Sequence, residues 1–164
     1  NTDWLKRFRE RFGDERADYG EALQAHYANG PRADWPNHFV SAYAGSHPWE
    51  DWAESWSHYL HMVDTLETAA ACGLSLRPPR RNEPALKDVP DVLTDTDTEF
   101  DRIMAGWYSI TYVLNNLNRG LGLLDPYPFV LPPDAVEKLR FIHDVVQAYA
   151  PPAGNDLPVS VLMG

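Results

Sequence analysis

The chain has 164 residues, of which 44% are hydrophobic and 23% charged, and its formal net charge is −10. An acidic surface repels phosphate backbones, so we expect no nucleic-acid partner. No run approaches the ~18 apolar residues of a membrane-spanning helix, and the single cysteine, Cys72, excludes an internal disulfide and predicts a small buried side chain.

The first third of the chain predicts two helices and a helical turn. Apolar residues at helical spacing indicate a helix over residues 3–12. Asp14 is placed to cap a second helix over residues 15–28. Residues 38–44 predict a further helix or helical turn.

The strongest helix prediction covers residues 49–71. This stretch contains no Gly or Pro, Pro48 suits a first helical position, and Gly73 is placed to stop the helix. At ~1.5 Å per residue the helix is roughly 35 Å long, so we expect it to be the spine of the fold. Residues 74–98 contain four prolines and no helical period, which predicts a linker or a long surface loop.

Two further helices are expected in the second half of the chain. Residues 99–118 are apolar around most of the helix circumference, which predicts a buried helix with a cap at Asp97 or Thr98. Residues 134–149 form the last predicted helix. The sequence therefore predicts an all-α, mostly helical bundle with long Pro-rich loops. Its expected parts are a helical region over residues 1–75, a linker or wrapping loop over residues 76–98, and a second helical region over residues 99–164 that packs on the first.

Two glutamates on the long helix form a candidate metal-binding pair. Glu50 and Glu54 are four residues apart and lie on one helix face. Carboxylates this close repel each other unless one binds a cation and the other accepts a hydrogen bond. Zinc takes carboxylate and imidazole ligands, and its histidine ligands need an acceptor to orient them, so this pair can supply one ligand and one orienting group. A solvated acidic stripe is the competing interpretation.

His58 and His61 continue the same face and offer an alternative site. The spacing of Glu54, His58 and His61 brings their side chains together on one side of the helix, where they could form a small metal cluster. The competing interpretation is that these are packed or surface histidines.

The surrounding residues resemble a known pattern. Tyr43 is followed after six residues by Glu50-Asp51-Trp52-Ala53-Glu54, which is similar to the Tyr-x6-Glu-x-x-Ala-Glu arrangement of anthrax lethal-factor-like peptidases in the gluzincin group. The stretch from Gly13 to Tyr27, together with the block from His47 to His61, resembles a family of bacterial zinc-binding metallopeptidases. The resemblance covers most of residues 1–75 and, more loosely, the helices to about residue 150. It implies that the chain is the C-terminal part of such a protein.

The resemblance implies a role for three residues. Glu50 would be the third protein ligand of zinc, and Glu54 would sit behind it and accept a hydrogen bond from a metal-binding histidine. Tyr43 would donate its hydroxyl to the oxyanion that forms when zinc-bound water attacks a peptide carbonyl. The intact protein would hydrolyse peptide or protein substrates, and we expect it to be cytoplasmic because a lone cysteine fits a reducing compartment.

The sequence departs from the family at one essential point. Such peptidases place His-Glu-x-x-His on a helix, where two imidazoles bind zinc and the glutamate is the general base, and this motif occurs nowhere in the 164 residues. In the family that helix precedes the region covered here, and the chain begins with Asn1 rather than Met, which suggests a truncated or processed product. The alternative is a degenerate relative of the family. In either case we expect the chain alone to bind zinc weakly or not at all and to hydrolyse no peptide.

A non-catalytic interaction domain is the alternative function. An acidic, aromatic-rich helical module could bind a protein partner instead of a substrate. Half of a peptidase would also expose apolar surface that the other half covers, and patches of that kind drive self-association. We expect no membrane partner in either case.

Overall fold

Five helices and two short 3-10 turns lie in the part of the chain that the structure describes. The computed structural model describes residues 2–77, 85, 90, 99–127 and 130–149. The elements are α1 (Thr2–Phe12), α2 (Tyr19–Asn29), 3-10 turns at Trp35–Asn37 and Ala44–Ser46, α3 (Pro48–Ala71), α4 (Phe100–Gly120) and α5 (Pro133–Tyr149). No strand occurs in these ranges, so the predicted all-α class is confirmed.

The long helix α3 begins and ends where the sequence predicts. His47 is the N-cap residue, and its ring Nδ1 accepts the backbone N–H of Trp49 at 3.0 Å. Pro48 is the first helical residue, and Gly73 follows the helix with a φ of 63°, a left-handed conformation that glycine adopts without strain. The prediction that Cys72 is buried is wrong, because this residue lies at the end of α3 and is exposed.

The second helix starts later than predicted. α2 begins at Tyr19, and the carboxylate of Asp18 caps it by accepting the backbone N–H of Glu21 at 2.8 Å. Asp14 is not the cap, since its carboxylate accepts hydrogen bonds from the backbone and the guanidinium of Arg16. The ion pair with Arg16 thus holds Asp14 in the turn that precedes the helix.

The segment predicted as a helix or helical turn over residues 38–44 forms turns and no continuous helix. The segment consists of turns, and a 3-10 turn begins only at Ala44. The Ser41 hydroxyl accepts the backbone N–H of Ala44 at 3.1 Å, and such a local side-chain bond competes with the helical hydrogen-bond ladder. Pro36 before the segment and Gly45 after it favour the same outcome.

The core lies where α3, α4, α5 and α1 meet. α3 packs against the other three helices, and α1 also packs against α5. α2 buries no residue and touches the 3-10 turn at Ala44–Ser46 instead. The side chains that fill the core are Phe12 from α1, Tyr59, Met62 and Leu66 from α3, Ile103, Met104, Trp107 and Ile110 from α4, and Leu139, Phe141 and Ile142 from α5.

The region before α4 bears on two predictions. The N-cap residue of α4 is Glu99, whose side chain makes no capping bond, while the predicted caps Asp97 and Thr98 lie outside the described residues. Most of the predicted linker over residues 76–98 also lies outside them, so the division into three parts stays a prediction. Among the helices in the described ranges, none has the length and hydropathy to cross a bilayer.

Candidate functional site

Tyrosines from two segments lie near the carboxylate of Glu50. Tyr19, at the start of α2, donates its hydroxyl to Glu50 Oε1. Tyr43 lies close enough to Glu50 and Tyr27 for both to affect the pKa of its hydroxyl. Glu50 and Tyr43 are half-buried, whereas Tyr19 and Tyr27 are exposed. We refer to Tyr19, Tyr27, Tyr43 and Glu50 as the tyrosine–Glu50 cluster.

The surroundings of Tyr43 and Tyr19 favour the protonated form of both phenols. Burial raises the pKa of Tyr43, and nearby Tyr27 and the negative charge of Glu50 raise it further. The hydrogen bond to Glu50 raises the pKa of Tyr19. At neutral pH both hydroxyls are therefore neutral donors beside an anionic acceptor, which is the state that a hydrogen-bond donor to a developing oxyanion requires.

His47 positions Tyr19 over the start of α3. Its ring is 3% exposed, and Nε2 lies 3.0 Å from the carbonyl oxygen of Ala17. Because Nδ1 accepts the N–H of Trp49, the proton is on Nε2, which donates to Ala17. The ring also packs edge-on against Tyr19 with centroids 5.1 Å apart. One buried imidazole thus joins the beginning of α2 to the beginning of α3.

Glu54 is held by a different group one turn further along α3. Its Oε2 accepts a hydrogen bond from the Ser41 hydroxyl at 2.9 Å. The segment before Tyr43 is thereby fixed to α3, because Ser41 lies two residues from that tyrosine. Glu54 is half-buried like Glu50, so the predicted pair lies at the protein surface with each carboxylate in its own hydrogen bond.

The two histidines of the alternative site both contact Tyr127 but differ in burial, since His58 is buried and His61 is exposed. His58 is buried against Trp107 and Tyr127, with ring centroids 5.7 and 5.2 Å away, and burial lowers its pKa to about 4. His61 is hydrogen-bonded through Nδ1 to the Tyr127 hydroxyl. A cavity of about 310 Å³ borders Glu54 and both histidines. Within the described ranges, no three His, Cys, Asp or Glu side chains form a group that could hold a metal ion.

The structure therefore brings some of the candidate residues together and separates others. Tyr43 and Glu50 lie close enough to interact electrostatically, and Glu54, one helical turn after Glu50, has a separate partner in Ser41. Sequence reasoning gave no role to Tyr19 and Tyr27. The signal that points to them is structural: both are exposed tyrosines on α2, a helix that buries no residue and so adds nothing to the core.

Comparison with known proteins identifies relatives along most of the chain. The profile of a family described as "putative zinc-binding metallo-peptidase" matches residues 1–145. The chain is 46% identical over 151 residues to an uncharacterized protein of Mycobacterium tuberculosis and, equally, to one of Mycobacterium bovis. These alignments cover 92% of this chain and 42% of each relative. The chain thus spans less than half the length of these relatives. No solved structure matches it.

Proposed function

The chain belongs to the zinc-binding metallo-peptidase family, and from this premise we propose that it supplies the glutamate side of a zinc peptidase site in a longer protein. Glu50 is the zinc ligand, Glu54 orients a zinc-binding histidine, and Tyr43 donates a hydrogen bond to the carbonyl oxygen under attack. The substrates are peptides or proteins, and the proposed location is the cytoplasm.

The observation that supports the proposal is the proximity of two phenols to Glu50. This carboxylate, in the first turn of α3, is half-buried, accepts a hydrogen bond from Tyr19, and lies close enough to Tyr43 for its charge to raise the pKa of that phenol. The bond from Tyr19 restrains the orientation of the carboxylate. A metal ligand next to an oxyanion donor needs that arrangement.

The residues of this chain fit one part of a zinc site. A catalytic zinc takes three protein ligands. The described residues contain no group of three His, Cys, Asp or Glu side chains that could hold a metal ion, so this chain would contribute Glu50 alone. We propose that the other ligands are two histidines from the part of the longer protein that this chain does not span. Zinc bound there would polarise the peptide carbonyl and activate water. The chain alone would not retain zinc, because one carboxylate cannot compete with water for the ion.

Within that site each side chain of this chain has a distinct task. Tyr43 is neutral at working pH, so it can donate a hydrogen bond to negative charge that develops on the substrate oxygen. Tyr19 and Ser41 act through other groups, since Tyr19 fixes Glu50 and Ser41 fixes Glu54. Their loss would misplace the carboxylates without removing them.

The direct test is zinc content after Glu50→Gln in the longer protein. The change keeps the size of the side chain and its hydrogen bonds but removes the charge, so we expect zinc affinity to fall by at least about 100-fold, more than the loss of an orienting group costs. Glu10→Gln is the matched control, because Glu10 lies on the exposed face of α1 and pairs with Lys6. Zinc is measured by elemental analysis after dialysis against a chelator.

Two results would contradict the proposal. Unchanged zinc occupancy in the Glu50→Gln protein would remove Glu50 from the ligand set. Tight, stoichiometric zinc in the present chain by itself would show that ligands from elsewhere are not required.

A second candidate function rests on an exposed apolar patch. Leu117, Leu121, Leu123 and Leu124, at the end of α4, are 56–90% exposed. Four leucines this close together are unusual on the surface of a soluble monomer. They favour a non-catalytic role in which the domain binds a protein partner or a second copy of itself.

A further inference from the structure

A buried lysine on α5 contacts both segments that carry the site. Lys138 is 4% exposed, and its Nζ lies 2.6 Å from Oδ2 of Asp51, which is 1% exposed. The same ammonium donates to the carbonyl oxygen of His38 at 2.9 Å and lies 4.0 Å from the ring centroid of Phe39. The ammonium is therefore paired with a carboxylate by charge, hydrogen-bonded to a carbonyl, and packed against an aromatic ring.

These contacts join two stretches of chain that are distant from α5 in sequence. Asp51 directly follows Glu50 on α3, and His38 and Phe39 begin the segment that leads to Tyr43. A second contact reinforces the first, because Nδ1 of His38 lies 2.5 Å from a carboxylate oxygen of Asp134 in the first turn of α5. α5 thus binds the segment before Tyr43 at two points and the start of α3 at one.

The physical value of such a contact is geometric rather than energetic. Burying an ion pair costs about as much in lost hydration as the attraction returns, and apolar residues of similar size often stabilise a core equally well. An ammonium, however, has three directional donors at fixed angles. Lys138 therefore fixes the separation between the start of α3 and the segment at residues 38–39, which apolar packing would leave adjustable.

We propose that Lys138 is a positioning residue that sets the distance between the Tyr43 hydroxyl and the Glu50 carboxylate. The inference rests on the proposed function, because this pair is what the lysine would align. Lys138 acts on this pair through Asp51 and the backbone of His38. α5 becomes the third element that shapes the site, after α2 and α3.

The test measures how strongly the Tyr43 hydroxyl senses the Glu50 carboxylate in this chain, without metal. Tyrosines are replaced by 3-fluorotyrosine, and the ¹⁹F resonance of Tyr43 is identified from its loss in Tyr43→Phe. Glu50→Gln gives the chemical shift of a Tyr43 whose charged acceptor is gone. Lys138→Met combined with Asp51→Asn removes both buried charges, so that neither is left unpaired and the fold is preserved, which circular dichroism checks.

We expect the Tyr43 resonance of the double variant to move towards its position in Glu50→Gln. The resonance of Tyr127, which contacts His61 and Trp107 elsewhere in the fold, should stay in place. Arg140→Met is the matched control on α5, because it breaks the exposed pair with Asp101 and should leave Tyr43 unmoved.

The outcomes separate this inference from the proposed function. A Tyr43 resonance that keeps its parent position in the double variant overturns the positioning role, whatever zinc does in the longer protein. A shifted resonance, together with unchanged zinc after Glu50→Gln, supports the positioning role and contradicts the proposed function.

Discussion

His58 is an imidazole enclosed by aromatic rings and kept uncharged by its surroundings. It is 7% exposed, and its Nε2 has no hydrogen-bond partner among the described residues. Burial lowers its pKa from 6.5 to about 4, with a smaller effect from nearby His61. Protonation of His58 would place a charge between Trp107 and Tyr127, so acid should weaken the fold at this residue.

The pH dependence at His58 has a definite sign. Between pH 6.5 and about 4 the unfolded chain binds a proton at this histidine and the folded chain does not. The free energy of unfolding therefore falls as pH falls through that window, by about 3 kcal/mol in total. We expect His58→Phe, whose ring fits the same aromatic enclosure, to lose roughly 2.5 kcal/mol less stability between pH 7.5 and pH 4.5, because the last part of the effect falls below pH 4.5. Urea unfolding at a series of pH values measures the difference.

A carboxylate elsewhere in the fold makes the comparison with the variant necessary. Burial raises the pKa of Asp51 from 3.8 to about 6, although Lys138 opposes the shift. Its folded form binds a proton more readily than its unfolded form, so this residue adds stability as pH falls from about 6 to 3.8. The parent profile sums both effects, and only its difference from His58→Phe isolates the histidine. Identical pH slopes for the two proteins would contradict the prediction.

At the scale of elements, α4 packs tightly against α3 at a glycine, Gly106. A Cβ added to Gly106 of α4 would lie 3.0 Å from Cδ2 of Leu66 on α3 and 3.0 Å from Cδ of Pro90. Leu66 is fully buried and Pro90 is a rigid ring, so neither can move away freely. Because Gly106 has no side chain, Leu66 of α3 and Pro90 can lie against the backbone of α4 at this position.

Gly106→Ala should therefore destabilise the fold. Alanine favours a helix over glycine by roughly 0.5–1 kcal/mol, but overpacking a rigid core costs about 1–3 kcal/mol, so we expect a net loss of about 1 kcal/mol. Gly120→Ala is the matched control on the same helix, because nothing lies within 4 Å of its added Cβ and the change should be neutral or stabilising. The urea midpoint should fall in Gly106→Ala and stay in place or rise in Gly120→Ala, and a stabilised Gly106→Ala would contradict the packing argument.

The elements that the sequence predicts best are those with local signals. α3 has a capping residue, a proline at its first position, an uninterrupted run of helix formers and a glycine after its end, so its bounds follow from residues within the helix itself. Residues 38–44 lack such agreement, because the bond from Ala44 to the Ser41 hydroxyl competes with the helical ladder. Composition alone does not reveal which of these bonds forms.

At the scale of the whole molecule, the site illustrates where sequence reasoning ends. The sequence places Glu50 and Glu54 on one face because they share a helix. The contact of Tyr19 with Glu50 joins residues 31 positions apart, and that of Lys138 with Asp51 joins residues 87 positions apart. Both contacts depend on where α2 and α5 lie relative to the start of α3. No local pattern encodes such distances, since they follow from the arrangement of the helices as a whole.

The exposed leucines at the end of α4 also act at this scale, because they affect how molecules meet. Leu117 and Leu121 are four residues apart on one helix face, and Leu124 just beyond is 90% exposed. The net charge of −10 repels a second copy, so this patch and the charge oppose each other. Salt weakens the repulsion and leaves the apolar attraction intact. Self-association should therefore increase with ionic strength as well as with protein concentration.

Static light scattering at several salt and protein concentrations tests this expectation. Burial of a leucine side chain contributes about 1.5–3 kcal/mol, so Leu121→Gln should weaken association by roughly tenfold or more. Leu60→Gln is the matched control, because Leu60 is a partly exposed leucine on α3, away from the patch, and its loss should leave association unchanged. A strict monomer under every condition would contradict self-association through this surface. Equal weakening by both variants would place the contact elsewhere, since only a patch confined to the end of α4 distinguishes the two leucines.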